Sequence, residues 1–144
     1  MQAIIIKGNP RYIEGNRYAE AFYRELESFL TGLGYEVSFD PGEPYTTPPP
    51  ADLWVGHSRG AGRLKFAPKG TRTVALGTIE GVYHPEDASV TDFSIVPDKY
   101  HYMLTSEMKE ALRKAHPDSD LNVEKIASRI AFNHSPRHPA TLIF

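Results

Sequence analysis

The pentapeptide Gly56-His57-Ser58-Arg59-Gly60 constrains this chain more than any other feature. It follows an apolar run, Leu53-Trp54-Val55, and opens a stretch that can be helical. Glycines two residues to either side of Ser58 predict a sharp strand-to-helix turn, where the backbone packs too closely for a side chain. A helix that starts there directs its first amides at any negative charge forming beside the serine. About one chain in twenty of this length carries the three fixed positions by chance, with Gly and Ser near ~7% each. The position directly after a strand raises the pattern above that background. The structural alternative for Ser58 is a helix N-cap, a role serine favours.

The rest of the chain alternates between strand and helix patterns. Ala3–Ile6 is a continuous apolar run ended by Gly8-Asn9-Pro10, as expected of a strand buried on both faces. Gly15-Asn16 predicts a turn with Asn16 as N-cap. From Arg17 to Leu33, Phe22, Leu26, Phe29, Leu30 and Leu33 follow helical spacing, and Gly32 and Gly34 end the helix. Tyr35–Phe39 reads as a second strand. Five prolines make Asp40–Pro50 an extended loop. Ala51–Val55 is the third strand, Ser58–Phe66 a short helix and Thr73–Leu76 the fourth strand. A loop rich in acids runs from Gly77 to Ala88, and Asp92–Val96 reads as a fifth strand. Thr105 or Ser106 caps a helix with Met108, Ala111, Leu112 and Ala115 on one face, ended by His116-Pro117. Asn122 caps a last helix, and Thr141–Phe144 is a terminal strand or a packed tail. The alternation predicts one α/β domain over residues 1–144. Its sheet is mostly parallel and five- or six-stranded, with helices on both faces and right-handed crossovers.

A chain of 144 residues suits a single domain. A net charge of −2 gives no electrostatic reason to expect nucleic acid as a partner. Without cysteine there is no disulfide, thiolate zinc site or thiol nucleophile. No apolar run approaches the ~20 residues of a membrane span, and the first residues lack the pattern of a secretion signal. A soluble cytoplasmic protein is expected. Asp118-Ser119-Asp120-Leu121-Asn122 spells the start of a calcium loop, but Val123 and Arg129 stand where glycine and glutamate are needed. It reads as a turn and cap, and no metal site is expected.

Over about residues 1 to 115, five segments resemble in order those of the α/β-hydrolase family. Ile4-Ile5-Ile6-Lys7-Gly8-Asn9 is similar to its opening strand and oxyanion loop, and Gly34-Tyr35-Glu36-Val37 to the strand after its first helix. The stretch from Asp52 to Ala61 resembles its nucleophile strand and turn, Val74 to Glu80 its acid-bearing strand, and Tyr100 to Leu104 its histidine segment. The chain departs from the family in size. A proline loop stands in place of a helix, and there is no room for a lid.

The resemblance implies a reduced three-layer sandwich and a small serine hydrolase. Its substrate would be a small-molecule ester, less readily an amide, cleaved through an acyl-enzyme without metal or organic cofactor. Ser58 would be the nucleophile, His101 the base and Glu80 the carboxylate that orients the base. His84 is the chief alternative base, followed by His134 and His138. Asp87 and Asp92 are alternatives to Glu80. The backbone N–H groups of Arg59 and Asn9 would hold the oxyanion, since Pro10 cannot donate. The Arg59 guanidinium would bind an acidic substrate group or form a surface ion pair. His57 is expected to pack rather than catalyse. Two other classes stay open. One is a non-catalytic domain of the same fold. The other is an α/β protein binding a small molecule or anion at the Gly8-Asn9-Pro10 and Ser58 loops.

Overall fold

The four isoleucine and alanine side chains of the first apolar run are buried because their strand, β1 (Gln2–Ile6), lies inside a parallel sheet. The computed structural model describes residues 1–8, 14–40, 47–76, 93–96, 103–118 and 141–143, with residues 58, 59, 93–96 and 141–143 described by backbone alone. Strands β2 (Glu36–Asp40), β3 (Leu53–His57) and β4 (Arg72–Leu76) complete a four-stranded parallel core in the order β2-β1-β3-β4. Ile6 is opposite Asp40 on one side and Gly56 on the other, and His57 is opposite Leu76.

β1 and β4 each begin one residue before the expected start, and β2 and β3 are shifted toward the C-terminus by one and two residues. β3 extends through Gly56 and His57, because both residues pair with β4. Asp40 ends β2 rather than opening the proline loop, because it pairs with Ile6. Pairing partners that are distant in sequence decide the ends of β2 and β3.

Helix α1 (Arg17–Gly32) joins β1 to β2. The Asn16 side chain accepts hydrogen bonds from the amides of Tyr18 and Ala19 at 2.9 and 3.2 Å, as its N-cap position predicts. At the other end Gly34 takes φ 98°, its N–H donates to the Thr31 carbonyl, and the Tyr35 N–H donates to the Leu30 carbonyl. That pair of bonds is a Schellman closure, which needs the left-handed backbone that glycine supplies. Helix α2 (Ser106–Lys114) is capped by Thr105, whose hydroxyl accepts from the Met108 amide at 3.2 Å.

Period-two alternation along the strands sorts the core into two faces. Ala3, Ile5, Leu53, Val55, Val74 and Leu76 pack with α1 and α2 through Phe22, Leu26, Leu30, Met108 and Leu112. Ile4, Ile6, Trp54 and Ala75 face the other way and are covered by Ala61 and Leu64. Those two belong to the segment Ser58–Phe66, a 3-10 helix. With three residues per turn, Ala61, Leu64 and Ala67 fall on one side. The chain moves outward from β1 to β2 and in the opposite direction from β3 to β4. Right-handed crossovers in opposite directions place their connections on opposite faces, as found here for α1 and the 3-10 helix.

Candidate functional site

The strand order reverses between β1 and β3, so the carboxyl ends of these strands form the place where α/β sheets open a crevice for ligands. Ser58 follows the last residue of β3, at this edge. His57 keeps extended backbone angles, φ −112° and ψ 134°, and Ser58 is the first residue of the 3-10 helix. The first amides of a helix, here those of Ser58 and Arg59, have no acceptor within it.

Both glycines of the pentapeptide are fixed by close backbone contacts. A Cβ at Gly60 would lie 2.3 Å from the Ile6 carbonyl oxygen and 2.7 Å from that of Lys7. A Cβ at Gly56 would lie 2.7 Å from the Ala61 Cα. The turn is thus pressed against the end of β1 on one side and folded on itself on the other. This is the close packing that the spacing of the glycines predicts.

A buried polar network surrounds the turn. His57 is fully buried, packs against Phe22 with the rings tilted and their centroids 4.7 Å apart, and lies edge-on to Tyr23 at 5.2 Å. Its Nδ1 is 2.7 Å from the Tyr23 hydroxyl. That hydroxyl also accepts the Gly8 N–H at 3.0 Å. His57 is thus a packing residue, as expected. Across the β1 end, Arg63 of the 3-10 helix forms a two-pronged ion pair with Asp40 at the end of β2, one contact being Nη2 to Oδ2 at 3.3 Å. Both partners are buried. The Lys7 N–H donates to the Asp40 carbonyl at 3.1 Å, continuing the ladder past the strand. The Lys7 ammonium lies 4.7 Å from the Phe39 ring centroid and 5.2 Å from that of Tyr23, a cation–π arrangement.

A groove of about 300 Å³ lies beside these rings, lined by Lys7, Glu20, Tyr23, Arg24, Glu27 and Phe39. Its charges are mixed, and none of its lining residues belongs to the pentapeptide.

The structure locates the backbone of two of the expected site residues, Ser58 and Arg59, as the first two residues of the 3-10 helix. Asn9, Glu80 and His101 lie outside the described residues, as do the alternatives His84, His134, His138, Asp87 and Asp92. Tyr23, Asp40 and Arg63 are polar residues around the turn that the sequence reading gave no part in the site. Their partners are 15 to 34 positions away, and no local spacing marks such pairs. The one available signal was a tyrosine on the apolar stripe of α1.

No helix among the described residues is long and apolar enough to cross a membrane. No protein-family model, curated protein or solved structure matches the chain.

Proposed function

We propose that the chain is a small serine hydrolase that cleaves small esters, with Ser58 as nucleophile. One observation carries this reading. Both glycines flanking Ser58 are required by backbone contacts, and they hold the serine at the carboxyl edge, where the strand order reverses. A serine that served only as a cap would not need Gly60 against the carbonyls of Ile6 and Lys7.

In this reading His101 takes the Ser58 proton as the serine oxygen attacks the ester carbonyl, and Glu80 orients the imidazole. The amides of Arg59 and Asn9 stabilise the resulting oxyanion; removing one such donor typically slows a reaction by roughly a hundredfold or more. His101 returns the proton to the departing alkoxide. Water, deprotonated by the same histidine, then attacks the acyl-enzyme; the acid leaves as His101 returns the proton to the Ser58 oxygen.

The sheet in this proposal is the six-stranded, three-layer form. Pairing of Val74 with Phe93 supports adding β5 (Phe93–Val96), and pairing of Ser94 with Thr141 supports adding β6 (Thr141–Ile143), both parallel.

Hydrolysis of p-nitrophenyl acetate tests the activity. The wild type is expected to release a burst of about one p-nitrophenol per chain before steady turnover, the sign of an accumulating acyl-enzyme. Ser58→Ala is expected to show no burst. Equal rates for the two proteins would overturn the proposal. The reversal of strand order also favours a second reading, an anion-binding α/β protein. Saturable phosphate or nucleotide binding by a folded chain without esterase activity would support it instead.

A further inference from the structure

We infer that Tyr23 is a positioning residue that ties the turn carrying Ser58 to the end of β1. This rests on the reading of Ser58 as nucleophile. A nucleophile at Ser58 must be held in one place relative to the groups around it, and the end of β1 is the neighbouring edge of its turn. A single side chain from α1 touches both. The Tyr23 hydroxyl accepts the amide of Gly8, the residue before Asn9, and lies 2.7 Å from Nδ1 of His57, the residue before Ser58.

The Tyr23 oxygen accepts from Gly8 and still has a second lone pair and a proton, so it pairs with Nδ1 of His57 in either tautomer of the imidazole. The bridge is shielded from water, since Tyr23 is 4% exposed and His57 not at all. Burial strengthens the two bonds and keeps water from replacing them. The ring of Tyr23 is held separately, edge-on to Phe22 at 5.5 Å and to Phe39 at 6.5 Å. The ring is therefore held by neighbours on α1 and β2 as well as by the two residues its hydroxyl joins.

Tyr23→Phe removes the hydroxyl and keeps the ring. The test measures covalent labelling by a fluorophosphonate at several probe concentrations, which separates probe binding from the chemical step. Leu30→Val, two turns along α1 and outside the network, serves as a control for loss of stability. Melting temperatures confirm that both variants fold. Tyr23→Phe is expected to lower the limiting labelling rate by about tenfold or more, with probe affinity unchanged, because small displacements of reacting groups carry losses of that order. Leu30→Val is expected to label as the wild type does. In Tyr23→Phe the Gly8 amide is also expected to exchange its hydrogen faster, since it loses its acceptor. Labelling of Tyr23→Phe at the wild-type rate overturns the inference, as does a fall no larger than that of Leu30→Val. Unchanged exchange at Gly8 overturns it independently. If the wild type is not labelled at all, the hydrolase reading fails and the inference fails with it, a result distinct from a labelled wild type beside an equally labelled variant.

Discussion

A methyl group at position 60 has nowhere to go. The nearest atoms to a Cβ there are backbone carbonyl groups of Ile6 and Lys7, which cannot swing aside as a side chain can. Gly60→Ala is therefore expected to lower stability by about 3 kcal/mol. Urea unfolding followed by the fluorescence of Trp54, the chain's single tryptophan and fully buried, measures it. The need for glycine here was legible in the sequence because it is carried by a five-residue pattern. Tyr35 shows the opposite case. It is 3% exposed, and its hydroxyl has no hydrogen-bond partner among the described residues. Burial, with Asp52 nearby, pushes its pKa from 10.0 to about 12. The unfolded chain thus releases this proton near pH 10, and the folded chain holds it two units longer. Stability from this group is complete below pH 10 and falls between pH 10 and 12, by about 2–3 kcal/mol. Tyr35→Phe is expected to remove that part of the decline and to leave neutral-pH stability unchanged or raise it by about 1 kcal/mol. Unfolding midpoints across the alkaline range check both effects.

At the level of elements, local signals were read well and non-local ones poorly. The caps at Asn16 and Thr105 and the closure at Gly34 are written in adjacent residues, and the structure has them as the sequence suggested. The 3-10 period of Ala61, Leu64 and Ala67 was present in the sequence too, but over nine residues it differs little from an α-helical stripe. The Asp40–Arg63 pair left no local trace, since its partners lie 23 positions apart on different elements. That pair fastens the 3-10 helix after Ser58 to the end of β2. Arg63→Met leaves a buried carboxylate without its guanidinium, and is expected to destabilise the chain by about 3 kcal/mol or more. Adding Asp40→Leu to the same protein is expected to restore a large part of that loss, and a double-mutant cycle from urea unfolding gives the coupling.

For the whole molecule, alternation of strands and helices pointed to a parallel α/β sheet, and the four-stranded core has that form. The order β2-β1-β3-β4 was not legible, because hydrophobic patterning says which residues are buried and not which strands are neighbours. That order makes Ser58 meaningful, since it brings the ends of β1 and β3 side by side. The serine half of the candidate site was legible as a local turn. His101 and Glu80 were expected from the resemblance alone, and both lie outside the described residues.

The central claim is that Ser58 is a nucleophile, and site-mapped fluorophosphonate labelling tests it most directly. The account predicts one adduct per chain by intact mass, located on the peptide that contains Ser58 and absent from a folded Ser58→Ala protein. No adduct on the wild type, or an adduct that survives in Ser58→Ala, would contradict it.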